Sequence, residues 1–183
     1  LPFKYVVLLI AILIAIGCAG SWGYYRQKQR IRNAAIEKLT LIGTTKAMEI
    51  VVWRQNFLAS SSLLASGFFV QKAAGDFFAT ADEQLAKEIT SRFRLSLANC
   101  QAYDIWLLDG KGQIRLSCTG SLTGHAQTQA AFELMKLRGA ATISEFHYTV
   151  GGVVCVSALA PIFGAGGDKT KLLGAVAVCR DAR

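Results

Sequence analysis

The chain is 183 residues long, enough for one domain of ordinary size and an appendage. It is 52% hydrophobic with a net charge of +8, and its mean hydropathy of +0.36 is high for a soluble protein. Its basic residues do not form aromatic-rich basic patches, which argues against nucleic acid as a partner.

One segment explains much of the apolar excess. The run from Tyr5 to Trp22, "YVVLLIAILIAIGCAGSW", carries no charge. It is long enough to cross a bilayer, which takes about 20 apolar residues as a helix. Tyr5 and Trp22 bracket it as interfacial aromatics do. A cleaved signal peptide is the rival reading, with a shorter core and a small-residue cleavage site, and "CAGSWGYY" leaves that open. The basic helical segment that follows at once favours an uncleaved transmembrane helix. Arg26, Lys28, Arg30 and Arg32 make up that basic run, which is either a contact for anionic lipid headgroups or a solvated helix face. Only Lys4 precedes the apolar run. Charge bias alone would therefore place the following domain in the cytoplasm. The chain starts at Leu1 and stops at Arg183 in mid-pattern, so a fragment of a longer protein is expected.

A long helix is predicted from Tyr24 to Ser66. Ile31, Ala35, Leu39 and Ile42 recur at helical spacing, and so do Ile50, Trp53, Phe57 and Leu64. No Pro interrupts it, and Gly43 with Thr44 and Thr45 marks a weak point. "SGFFVQKAAGDFF", residues 66–78, reads as a connector. Residues 80–100 read as a helix, with Thr80 and Glu83 in a capping-box pattern. Leu85, Ile89, Phe93 and Leu97 form its core-facing stripe.

The character then changes to strands. Strand one is Tyr103 to Asp109, the turn is Gly110-Lys111-Gly112, and strand two is Gln113 to Thr119. Polar residues Thr123 to Gln129 lead into a short helix, Ala130 to Leu137, with Gly139 as its stop signal. Strand three is Ala141 to Tyr148 and Gly151-Gly152 makes a turn. Strand four is Val153 to Phe163, "GAGGDKTK" is a loop, and strand five is Leu172 to Arg180. The last two strands are apolar on both alternating sets, so both faces of the sheet should be covered. The expected fold is α+β: a five-stranded antiparallel sheet with a long N-terminal helix on one face. Loops and short helices cover the other face, where a small pocket would form.

Several residues are candidates for that pocket. Asp104, Trp106 and Leu108 share one face of strand one; Gln113, Arg115 and Ser117 share one face of strand two. With Trp106 and Arg115 on the same side, the pair offers an aromatic wall and a guanidinium fork for a carboxylate. Alternatively, Arg115 snorkels to water at the sheet margin and Trp106 is core. Trp53 fits the apolar stripe of the long helix as a core residue, which leaves Arg54 lateral, as a surface charge or a rim contact. His147 and Tyr148 end strand three, where His147 is a ligand donor, a pH-sensitive group or an exposed side chain. Ser157 offers a hydroxyl or simply packs. Five Cys are present, with Cys18 in the apolar run. Cys155 with Cys179, and Cys100 with Cys118, either form two disulfides outside the cytoplasm or are buried thiols. No CxxC and no Cys/His cluster occurs, so neither a metal nor a cofactor is expected. A nucleophile–base pair, a phosphate loop and a carboxylate dyad are likewise missing, and catalysis is not expected of this segment.

The stretches "KAMEIVVWRQ", "YDIWLLDGKGQIRLS", "ISEFHY", "ALAPIF" and "LLGAVAV" together resemble the Cache class of PAS-like sensor domains. These lie outside the membrane in bacterial sensor histidine kinases, diguanylate cyclases and chemoreceptors. The "D-x-x-G-x-I" hairpin is common to PAS-like folds. Its combination with an apolar helix, a "W-R" helix and a late "P-I…G-x-V-x-V" hairpin is more specific. The resemblance covers most of Arg32 to Arg180. It implies a transmembrane helix at 5–22, a juxtamembrane helical segment at 23–45 and a single PAS-like sensor module at 46–183. It further implies a periplasmic domain anchored in the inner membrane that binds a small molecule between the sheet and its covering segment. A cytoplasmic output domain, a kinase or a cyclase, would receive the signal. The R-x-x-W-Y pattern of the amino-acid-binding members is absent, which gives no support to an amino-acid ligand; a carboxylate would suit Arg115. A homodimer through the N-terminal helix is expected, and the competing expectation is a structural module that only dimerises in this way and fills its own pocket with side chains.

Overall fold

The computed structural model describes residues 3–120, 126–149, 152–164 and 171–182, with the side chains of 3–7, 9, 11 and 12 left aside. Residues 123–125 of the polar lead-in, Gly151 of the predicted turn and residues 165–170 of the predicted loop lie outside the described residues. The chain divides into two compact units, Leu1–Val52 and Trp53–Arg183.

The first unit is helical. Helix α1, Phe3–Ser66, is one element of 64 residues. It passes through the predicted weak point at Gly43 without a break, and Thr44 Oγ1 returns a hydrogen bond of 2.9 Å to the Leu41 carbonyl. Among the described residues, no helix is long and apolar enough to cross a membrane; several side chains of the apolar run lie outside that set.

In the second unit the last turns of α1 pack with α2, Phe68–Thr80, and α3, Glu83–Asn99. The predicted connector at 66–78 is therefore a helix. Gly67 separates it from α1 as its N-cap, while Gly75 lies inside it without a break, because Val70, Ala73, Ala74 and Phe77 fall on one buried face. The cap of α3 also differs from expectation. Thr80 closes α2, giving its hydroxyl to the Asp76 carbonyl at 2.9 Å. The N-cap is Asp82, whose carboxylate accepts from the Gln84 and Leu85 amides. Ile89 and Phe93 are buried and Leu85 and Leu97 half-buried, as the stripe requires. Trp53 is 40% exposed and its ring lies 5.3 Å from that of the fully buried Phe57. It caps the core edge instead of joining the core.

The sheet is antiparallel throughout. Its strands are β1 (Asp104–Asp109), β2 (Ile114–Ser117), β3 (Thr142–Ile143), β4 (His147–Tyr148), β5 (Val154–Phe163) and β6 (Leu172–Asp181), ordered β2-β1-β6-β5-β3 with β4 also on β5. Six described strands replace the five expected because strand three is split. Ser144 accepts the Ser157 amide on its hydroxyl at 3.0 Å, while its own amide bonds the Ser157 carbonyl at 2.8 Å. A side chain thus takes over a ladder bond, and the backbone turns out of the sheet before re-entering at His147.

The two faces of the sheet carry separate cores. Ile105, Leu107, Val156, Ala158, Val176 and Val178 face the α1–α2–α3 layer. Trp106, Leu108, Leu159, Ala175 and Ala177 face α4, Ala126–Arg138, through Ala131, Phe132 and Met135. Helix α4 starts four residues earlier than predicted and stops where Gly139, at φ +61°, allows a left-handed turn. Arg180 joins three elements on the first face. Its Nε donates to the Cys100 carbonyl at 2.7 Å, and its guanidinium lies 4.6 Å from the Phe57 ring centre.

At Gly174 the backbone of β1 and a ring of α2 both come close. A Cβ there would collide with the Leu108 carbonyl and meet the Phe78 ring at 3.0 Å. The carbonyl is backbone and cannot rotate away. Gly174→Ala is expected to lower folding stability by about 1–3 kcal/mol, read as a lower midpoint in thermal unfolding followed by circular dichroism; an unchanged midpoint would show that β1 and β6 can separate locally.

Candidate ligand site on the α4 face of the sheet

The α4 face of the sheet carries a row of buried polar groups at one end. The row starts at Asp104. Its carboxylate accepts six hydrogen bonds: from the Ile105 amide at 2.8 Å, Trp106 Nε1 at 2.7 Å, Ser117 Oγ at 2.7 Å, the Cys118 amide at 3.0 Å, the Thr119 amide at 3.2 Å and Thr119 Oγ1 at 2.6 Å. Every partner donates, which suits an ionised, acceptor-only carboxylate. Asp104 therefore locks the end of β2 onto β1 and fixes the Trp106 ring.

Strand register extends the row. Asp104 stands opposite Cys179 on β6, and Cys179 stands opposite Ser157 on β5. Ser157 Oγ lies 2.9 Å from Cys179 Sγ and 3.4 Å from His147 Nε2. The His147 Nε2–Cys179 Sγ distance is 3.7 Å, and the His147 and Trp106 ring centres are 6.2 Å apart. His147 Nδ1 sits 3.2 Å from the Glu145 carbonyl oxygen. A carbonyl only accepts, so Nδ1 carries a proton, and in the neutral form of the ring Nε2 is an acceptor.

Beside this row, α4 and the β3–β4 connection enclose a groove of about 360 Å3, lined by Gln127, Ala130, Leu134, Ile143, Ser144 and Glu145 among others. Ser144 links groove and row, since its hydroxyl accepts the Ser157 amide. Thr128 heads the stripe of α4 that faces the sheet. Among the described residues its Oγ1 is the one buried side-chain polar atom without a hydrogen-bond partner, so it can still accept or donate one.

The structure gathers Trp106, Ser117, His147 and Ser157 on this face and leaves three candidates elsewhere. A bulge between Leu107 and Leu108 makes Ile114 the partner of Leu108 and leaves Arg115 as the extra residue. Arg115 is exposed and lies 3.7 Å from Asp109 Oδ2 at the hairpin end, so it does not form a wall with Trp106. Tyr148 is exposed on the opposite side of β4 from the buried His147, and Arg54 is exposed on α1. Ser144 and Thr128 were not singled out from sequence, Asp104 was named only as sharing the Trp106 face, and Cys179 only as a possible disulfide partner. The signal for Asp104 was present: an acid inside an apolar strand, with a Ser-Cys-Thr run on its hairpin partner to satisfy it.

The four domain cysteines are buried thiols with no disulfide between them. Cys155 pairs in register with Asp181 and Cys179 with Ser157, so the two are diagonal neighbours. Cys100 ends α3, while the amide of Cys118 is taken by Asp104. Burial pushes the Cys179 thiol up to about 12 and the Cys118 thiol up to about 11. Cys179 is thus a hydrogen-bonding thiol at neutral pH, not a thiolate nucleophile. No group of three or more His, Cys, Asp or Glu among the described residues is placed to hold a metal.

No family model matches the chain, and no curated protein matches it. Solved structures do match. The sensor domain of the V. cholerae histidine kinase DctB aligns over 74% of this chain and 51% of its own, at 17% identity and a TM-score of 0.59. The ligand-binding domain of the Pseudomonas aeruginosa amino acid chemoreceptor PctC, in complex with GABA, aligns over 80% of this chain and 61% of its own, at 19% identity and a TM-score of 0.57. The chain shares the fold of these domains. A Campylobacter jejuni chemoreceptor sensory domain with isoleucine bound shares the same fold, over 72% of this chain and 53% of its own, at 12% identity and a TM-score of 0.52. The chain spans about half to three-fifths of the length of these domains.

Two predictions follow from the row. Asp104→Asn turns an acceptor towards donors into an amide that is itself half donor, and is expected to remove about 3 kcal/mol or more of stability; chemical denaturation measures it, and a loss below about 1 kcal/mol would show that the six bonds are redundant. Cys118 and Cys179 hold their protons more tightly folded than unfolded. Stability is therefore full below the ordinary thiol value of 9.0 and falls as pH rises towards about 11 and 12. Urea unfolding from about pH 8 to pH 11 should show that decline, and Cys179→Ser should flatten it.

Proposed function

We propose that this chain is the small-molecule sensing module of a membrane-anchored bacterial signalling protein. The groove between α4 and the β3–β4 connection, beside the buried row of Ser157, Cys179 and His147, carries the reading. Apolar lining with a few convergent polar groups is the usual character of a small-ligand site. The Cache fold supports it: the matched domains are sensor or ligand-binding domains by name, and two of them hold GABA or isoleucine. The ligand here is a small molecule that meets the Ser144 hydroxyl, the Gln127 amide and the Glu145 carboxylate. A carboxylate clamp through Arg115 loses its basis with the salt bridge to Asp109.

In this reading the uncharged run from Tyr5 to Trp22 anchors the chain in the inner membrane, and the domain is periplasmic. The chain carries one module and no catalytic step of its own. Helix α1, continuous from Phe3 to Ser66, passes the ligand-induced change to an output domain elsewhere in the protein. A second reading, dimerisation through α1, draws on one observation. Ile31, Leu39, Ile42 and Ile50 repeat at helical spacing and are all exposed.

The test is thermal unfolding of the chain against small amino acids, amines, sugars and carboxylates, with Ala130→Trp as control. Ala130 is exposed on the groove wall, so the indole fills the groove without entering the core. A bound ligand at a hundredfold excess over Kd should stabilise the fold by about 2.7 kcal/mol, and Ala130→Trp should abolish the shift. A shift that survives Ala130→Trp would move the site elsewhere. No shift with any compound, together with a stable dimer, would favour the second reading.

A further inference from the structure

We infer that residues 24–32 of α1 form a collar that binds anionic phospholipid headgroups. The inference rests on the membrane-anchored reading and adds the lipid class to it. Arg26, Lys28, Arg30 and Arg32 are all exposed. No acidic residue occurs before Glu37, and none of the ion pairs among the described residues involves these four. Four positive charges are therefore left without a neutralising side chain.

Their placement around the helix is informative. Residues four apart share a face, and residues two apart lie on nearly opposite faces at about 100° per residue. Arg26 and Arg30 thus form one pair, and Lys28 and Arg32 form another on the far side. A flat partner such as a protein surface or a duplex would engage one pair and leave the other in solvent. A headgroup layer surrounds an emerging helix and engages both. The length agrees: Arg26 to Arg32 rises about 9 Å, against a headgroup layer of about 5–8 Å per leaflet.

The aromatic residues set the depth. Trp22 ends the uncharged run, and the Arg26 guanidinium sits 5.1 Å from its ring centre. That contact holds a cation one turn above an interfacial indole. Tyr24 and Tyr25 stand edge to face with ring centres 6.0 Å apart at the same level. Aromatic rings at the boundary and cations in the next two turns match the polarity gradient of an anionic leaflet.

The experiment reconstitutes the full chain into phosphatidylcholine vesicles with or without phosphatidylglycerol. Flotation reports anchoring. Tryptophan quenching by brominated phosphatidylglycerol, against brominated phosphatidylcholine at equal mole fraction, reports which lipid gathers beside Trp22. The chain should float with both vesicles, and the anionic lipid should quench at least about twofold more strongly, given the attraction of each cation for an anionic leaflet. Substituting Arg26, Lys28, Arg30 and Arg32 together by Gln should abolish the preference while flotation persists. Replacing the three Arg by Lys should keep it. Equal quenching by the two lipids, or a preference that survives the Gln substitutions, would overturn the collar and leave the anchor standing. A chain that floats with neither vesicle would overturn both.

Discussion

Three strands of this sheet are buried on both faces, and the rest of the architecture answers that constraint. β1, β5 and β6 present apolar side chains to either side. A half-covered sheet would leave one of those sets in water, at about 25 cal/mol per Å2 of apolar surface. The helices α1, α2 and α3 close one side and α4 closes the other. Small residues in the central ladder, Ala158, Ala160, Ala175 and Ala177, let both layers approach, and Gly174 gives way entirely to the neighbouring backbone. Pro161 sits in β5 past the end of β3, where the strand has lost its outer neighbour and a missing amide does least harm.

The same double coverage makes the polar row consequential. Asp104, Ser157, His147 and Cys179 are buried between sheet and helix, where an unsatisfied polar atom is expensive. Each is tied to its neighbours, so the row is pre-organised instead of collapsing around a guest. Asp104 holds Trp106 and the β2 end; His147, oriented by the Glu145 carbonyl, presents Nε2 to Ser157 and Cys179. The groove beside them inherits that rigidity through Ser144. The chemistry on offer in the groove is hydrogen bonding through the Ser144 hydroxyl and the Gln127 amide beside the Glu145 carboxylate, which separates this site from an arginine clamp.

Helix α1 belongs to a different regime. Its described side chains up to Val52 are exposed, and its apolar stripe and its basic run face outward. Those residues have no internal core to pack against, and the membrane-anchored reading proposed above assigns them a surrounding bilayer. The uncharged run, the aromatic boundary and the cations above it follow one another in the order in which a bilayer changes from hydrocarbon to headgroup.

The sequence by itself determined the elements whose signal is local. Alternation and apolar runs located β1, β5 and β6, the period of four located the α3 stripe, and glycine marked the turn after β1 and the end of α4. It also predicted coverage on both faces, because β5 and β6 lack a polar set. Tertiary structure decided what depends on a partner across space. The connector at 66–78 is helical because its small and aromatic residues find a face to bury. Predicted strand three splits because one serine hydroxyl meets one amide on β5. Arg115 leaves the Trp106 face because a single-residue bulge shifts the register, and period-two side-chain placement has no tolerance for that shift. Asp104 became a lock only when six donors from β1, the end of β2 and the two residues after it converged on it. Hydrophobic pattern is written residue by residue along the chain, whereas register and hydrogen-bond partnership exist only between segments, and they are settled when the segments pack.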